Sequence, residues 1–184
     1  QLGARIRKVV PVGSMFMEHY LEEQQHQSEP EIEYDILYLG GNTFRQGQIS
    51  DIYASHNQDY EQHLNWILRL SHAYSEITIG LKHHPNYSGY PLEEEYLRDS
   101  RVKVVDQKLN SYEVGLKSTI VISWCSTMVV EFLSRGKPSF FLDPGGRNGQ
   151  FFDNEEHWQR LRLMSYDQFE KTIISVLNGE EQVF

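Results

Sequence analysis

The chain is poor in the features that mark several large protein classes. It holds one cysteine, Cys125, in 184 residues, which excludes an intrachain disulfide and a cysteine-built metal centre. That usage fits a reducing, cytoplasmic setting. No apolar run reaches the ~18–20 residues of a membrane-spanning helix, and the N-terminal stretch has no secretory hydrophobic core. Basic residues are scarce: 17 Lys and Arg against 26 Asp and Glu leave a formal net charge of −9. That sign disfavours nucleic acid as a partner and nonspecific attraction to an anionic membrane surface. It leaves room for a small anionic ligand, which answers to local donors rather than to total charge. There is neither a Gly-x-Gly-x-x-Gly fingerprint nor a P-loop, so dinucleotide and Walker-type nucleotide binding fail on motif. Internal repeats and low-complexity tracts are missing too. The chain begins at Gln1 rather than Met, which reads as a piece cut from a longer protein or as a processed product.

What remains is an ordinary globular composition, 39% hydrophobic and 23% charged, enough for a single domain over residues 1–184. Short β-branched runs alternate with helical patterns, the signature of parallel strands joined by crossover helices. Strands are expected at Lys8 to Val12, Tyr34 to Leu39, Ile77 to Lys82, Val102 to Val105, Thr119 to Ser123 and Pro138 to Leu142. The fifth has almost no polar alternation, as befits a strand buried on both faces. Helices are expected from Met15 to Gln25, Asp59 to Tyr74, Leu92 to Leu97, Ser111 to Lys117, Ser126 or Thr127 to Arg135, and Tyr166 to Leu177. The segment leading to His56 reads as loop. The expected architecture is α/β: a Rossmann-like, doubly wound parallel sheet of about six strands with helices on both faces.

In such sheets ligands sit outside the carboxyl ends of the strands, and three loops there suit an anion. The first is Ser123-Trp124-Cys125-Ser126-Thr127, entering a helix whose N-terminus offers unpaired N–H groups and hydroxyl donors. Ser126 or Thr127 fits a plain helix cap equally well. Glu131, one turn further in among apolar neighbours, can accept hydrogen bonds from ribose hydroxyls, or else pair with Arg135 at i+4. The second loop is Lys82-His83-His84-Pro85, where a strand end aims an ammonium and an imidazole at a phosphate. Neighbouring histidines on extended chain point to opposite faces, so they do not serve one metal ion, and no metal site is expected. The third is Asp143 to Asn148, whose glycines allow close approach and whose Arg147 and Asn148 can meet a phosphate or sugar carboxylate. Gly41 and Asn42 after the second strand, and Gly13 and Ser14 after the first, are further crevice candidates or merely turns.

Lys82-His83-His84-Pro85, Ser126-Thr127 with Glu131, and Gly136-Lys137-Pro138 together resemble the donor-binding, C-terminal domain of GT-B glycosyltransferases. The likeness is to bacterial surface and capsule polysaccharide enzymes: polysialyltransferases, capsule Kdo transferases and CDP-glycerol glycerophosphotransferases. Val12-Gly13-Ser14 is similar to the opening of that domain, and Glu131 before Gly136 is similar to the ribose-holding Glu of UDP-GlcNAc 2-epimerases. Where the glycerophosphotransferases carry Asp-Tyr-Ser-Ser, this chain reads Ser123-Trp124-Cys125-Ser126. The acidic motif that supplies the sialyltransferase base belongs to the N-terminal half and is not found here.

The resemblance implies transfer of a sugar from a CMP, CDP or UDP donor to a surface polysaccharide or lipid-linked acceptor. His84 would act on the leaving phosphate, with Lys82, Ser123, Ser126, Thr127 and Glu131 binding the nucleotide. No cofactor is implied beyond the nucleotide-sugar substrate. The acceptor site and catalytic base would lie on the missing half, leaving this piece inactive alone. A cytoplasmic enzyme is implied, with peripheral association at the inner membrane face open to the full-length protein. A UDP-N-acetylhexosamine 2-epimerase-like enzyme and a non-catalytic Rossmann-like binding module are the alternative readings.

Overall fold

The computed structural model describes residues 15–25, 31–40, 51–85, 87, 89–90, 92–98, 100–124, 126–146 and 159–180. The strand expected at Lys8 to Val12 lies outside these residues. Within them the chain runs α1 (Met15–Gln24), β1 (Tyr34–Leu39), α2 (Asp51–Ala73), β2 (Ile79–Lys82), α3 (Glu93–Leu97) and β3 (Val102–Val104). It continues α4 (Ser111–Leu116), β4 (Ser118–Ser123), α5 (Thr127–Leu133), β5 (Ser139–Leu142), β6 (Arg162–Leu163) and α6 (Tyr166–Leu177).

Among the described residues six strands form one all-parallel sheet in the order β3-β2-β1-β4-β5-β6. This is the doubly wound Rossmann-like arrangement. The chain builds outward from β1 to β3 and then returns to add β4 on the other side of β1. The reversal lies between β1 and β4, where crossovers diverge to opposite faces and leave a crevice at the strand ends. Register fixes its level: Leu39 of β1 is opposite Lys82 of β2 on one side and Ser123 of β4 on the other.

Both faces of the sheet are covered, because successive side chains along a strand point to opposite faces. Ile36 and Tyr38 of β1, with Ile79, Leu81, Ile120 and Ile122, pack against α2 through Tyr60, Leu64, Ile67 and Leu70 and against Phe169 and Ile173 of α6. Leu37, Leu39 and Val121 face the other way, onto Met17 of α1, Val114 of α4 and Phe132 of α5. Each fully buried side chain of this kind contributes ~1.5–3 kcal/mol of transfer free energy. Gly115 of α4 lies under the Phe132 ring, where any Cβ would collide with it. The closing helix has an Asn178 C-cap, followed by Gly179 at φ +70.

Two elements differ from the sequence-based expectation. Helix α2 starts at Asp51, not Asp59, so Asp51 to His56, expected as loop, are helical, while the earlier part of that segment lies outside the described residues. The Asp51 to His56 stretch carries no clear apolar stripe but holds neither proline nor glycine, and a helix nucleated beyond it propagates through such a stretch at little cost. The short edge strand β6 was not expected. It pairs with β5 through Phe141 opposite Arg162 and Leu142 opposite Leu163. Its Arg162 is buried in an ion pair with Asp143, Nε and Nη2 both donating to the one oxygen Oδ2, at 3.1 and 2.5 Å.

Candidate functional site

At the reversal point the strand ends open into a cleft of about 840 Å³. Leu39 and Gly40 form its base, and the Gly40 N–H donates to the Lys82 carbonyl at 2.8 Å. Lys82 to Pro85 forms one side, and Ser123, Trp124, Ser126, Thr127 and Met128 the other. Of the residues expected to bind a nucleotide, Lys82, His84, Ser123, Ser126 and Thr127 are brought together here. Gly13, Ser14, Gly41, Asn42, Arg147 and Asn148 lie outside the described residues.

Their hydrogen bonds give these residues different work. Lys82 is 2% exposed, and its ammonium donates to the carbonyls of Gln107 at 3.1 Å and Asp106 at 3.5 Å. Burial lowers its pKa from the usual value, opposed by the Asp106 charge. The ammonium therefore tethers the loop after β3, which supplies the third wall of the cleft through Gln107, Lys108, Leu109 and Asn110, continued by Tyr112 of α4. That loop clasps back: the Gln107 side chain donates to the carbonyls of His84 at 3.0 Å and Pro85 at 3.1 Å. His84 itself is exposed on the rim, and its carbonyl also accepts from the Tyr87 N–H at 2.8 Å.

Ser123 donates its hydroxyl to the Leu39 carbonyl at 2.8 Å and so locks β4 to β1 at the cleft floor. Ser126 is the N-cap of α5, its Oγ accepting from the Met128 N–H at 3.3 Å. Thr127 opens the helix and is exposed to the cleft. With seven residues, α5 contributes only a short stack of aligned peptide dipoles.

Glu131 lies one turn further along α5 and is half-buried. Its carboxylate accepts a hydrogen bond from the Tyr112 hydroxyl, not from Arg135. Arg135 instead pairs with Glu18 at 2.6 Å and joins α5 to α1. Glu131 is not itself on the cleft wall; Tyr112 is, and the carboxylate stands behind it.

The two histidines diverge. While His84 stands on the rim, His83 turns to Glu93 of α3 through Nε2 and stacks on the Tyr87 ring, centroids 3.9 Å apart at 18°. No group of three or more His, Cys, Asp and Glu is gathered for a metal ion among the described residues. No described helix is long and apolar enough to cross a membrane.

The β3–α4 loop was missed by sequence reasoning, although two signals lay in it. Asn110 caps α4, its Oδ1 accepting from the Tyr112 N–H at 2.9 Å, and Asn-Ser before a helix is a recognisable cap. Lys108 adds a cation to the wall of a cleft in an otherwise acidic chain.

No protein-family model matches the chain, and no curated protein matches it in sequence. Among solved structures it is similar to a variant of the wall teichoic acid polymerase TagF soaked with CDPG. There the TM-score is 0.52 and the identity 14%, over 91% of this chain and 38% of the polymerase chain. A second TagF variant structure gives a TM-score of 0.51 and 15% identity, over 90% and 39%. At such identity the likeness is one of fold: the chain is a Rossmann-like α/β unit that matches part of these polymerase chains and spans well under half of their length.

Proposed function

We propose that this chain is the donor-binding half of a GT-B glycosyltransferase, one that moves a sugar from a CMP, CDP or UDP donor to a surface polysaccharide or lipid-linked acceptor. The observation that carries the reading is the cleft at the β1/β4 reversal, where the β2 and β4 ends and the loop after β3 bring hydroxyls, an imidazole and a lysine together. Chemistry of this kind asks a binding half for positioning and for stabilisation of charge on the departing phosphate. His84, on the rim, donates to that phosphate, with Thr127 and the Ser126 hydroxyl on the facing wall. Lys82 acts at one remove, holding the third wall in place. Tyr112, on the wall with the Glu131 carboxylate behind it, receives the ribose. Acceptor binding and the catalytic base fall to a preceding domain on the cytoplasmic side, and no cofactor is assigned to this half.

The fold neighbour soaked with CDPG puts cytidine diphosphate first among the probes. Thermal unfolding of the chain with CMP, CDP and UDP tests the reading. A ligand at ~100 times its Kd adds about 2.7 kcal/mol to folding stability. No shift with any of the three at millimolar concentration overturns it.

A further inference from the structure

Behind the end of β2 lies a buried ionisable pair that the reading above leaves unused. Glu93, the first residue of α3, has a side chain only 8% exposed, and its Oε1 meets Nε2 of His83. A carboxylate so enclosed is costly unless a cation answers it. Tyr60 of α2 also lies close, but its ionisation is pushed far up, first by burial and then by neighbours that include Glu93, so it remains a neutral phenol. The partner that answers Glu93 is therefore the His83 imidazole. Tyr87 closes one face of that ring in a near-parallel stack at 3.9 Å. Held on two sides, His83 forms part of the wall of the nucleotide cleft and of a second cleft of about 500 Å³ beyond it. Glu94 and Arg98 line that second cleft as exposed, mutually opposite charges, and solvent screens them. On the nucleotide side its neighbours in sequence are Lys82, whose ammonium serves two carbonyls, and the rim residue His84.

We propose that His83 is a phosphate-binding residue of the nucleotide cleft and that Glu93 is its positioning residue. The Glu93 carboxyl group holds the ring through Nε2 and leaves Nδ1 for a phosphoryl oxygen of the bound nucleotide. The assignment rests on the nucleotide reading, and it separates the work of two adjacent histidines. His84 reaches from the rim, while His83 is held in the wall.

The test compares the wild-type chain with Glu93→Gln, His83→Gln and the double variant. Each is titrated calorimetrically with CMP, CDP and UDP, and with cytidine and uridine as controls that lack the phosphate. The expected result is a loss on the order of tenfold in the preference for nucleotide over nucleoside in each single variant, as for a charge-assisted hydrogen bond. Nucleoside affinity stays unchanged, and the double variant loses no more than either single one. Melting of each unliganded variant reports folding, and His83→Gln carries the test alone if Glu93→Gln does not fold. Variants that keep the wild-type preference, or that lose nucleoside and nucleotide affinity in equal measure, overturn the assignment. A wild-type chain that binds none of the three nucleotides overturns the nucleotide reading and this inference with it.

Discussion

His63 on α2 should make this fold acid-sensitive in a way that one substitution isolates. The imidazole is 1% exposed, its Nδ1 lies 2.9 Å from the Tyr38 hydroxyl, and the two rings meet edge-on at 75°. Burial lowers its pKa from 6.5 to about 3, against a smaller opposing contribution from the Leu142 backbone. The unfolded chain therefore binds a proton that the folded one refuses throughout the interval between those values. Stability from this group is complete above pH 6.5 and is lost as pH falls towards 3. At ~1.4 kcal/mol per unit, the full interval amounts to about 5 kcal/mol, and lowering the pH from about 8 to about 5 removes ~2 kcal/mol of it. His63→Gln keeps an acceptor for Tyr38 and titrates nothing. Urea unfolding of both proteins across that range gives the assay, because carboxylates common to the two cancel in the difference. The wild-type advantage over the variant should shrink by ~2 kcal/mol between the two pH values. Parallel stability curves would refute the argument that His63 is held neutral by burial.

Two further outcomes follow from the cleft. Lys82→Met keeps the apolar stem and removes the ammonium that tethers the Asp106 and Gln107 carbonyls, so calorimetry should show weaker nucleotide binding. Because burial sets the Lys82 pKa below its usual 10.5, the wild type should gain stability as pH climbs towards that value and the Met variant should not; parallel alkaline melts contradict this. Glu131→Gln preserves an acceptor for Tyr112, so unliganded melting should stay nearly unchanged while nucleotide affinity falls roughly tenfold. A variant that binds normally but melts early makes Glu131 a purely structural partner of Tyr112.

Much of the sheet was legible because strands buried on both faces announce themselves. Ile36 to Leu39 and Ile120 to Ile122 are unbroken apolar runs, and α6 shows a stripe at helical spacing between a Ser165 cap and Gly179. What escaped was decided by tertiary context. Leu-Arg-Leu at 161–163 looks like no strand until Asp143 neutralises the arginine at the edge of the sheet. The polar start of α2 has no periodicity to read. That the strand-end residues meet in one cleft was legible because chain order places them there, yet their partners were not. Ser123 turned out to serve the Leu39 carbonyl, and Lys82 the loop after β3. Glu131 could be seen to need a partner, but Arg135 at i+4 was the local choice and Tyr112, on another helix, was the one taken. The His83–Glu93 pair spans ten residues across a loop and a helix start, a separation at which no sequence pattern registers.

The most direct test of the central claim is a structure of this chain with a bound pyrimidine nucleotide. The account predicts the phosphate between the His84 rim and the Ser126–Thr127 turn, with the ribose towards Tyr112 and Glu131. A nucleotide seated elsewhere on the chain, or a cleft that stays empty at saturating ligand, would contradict it.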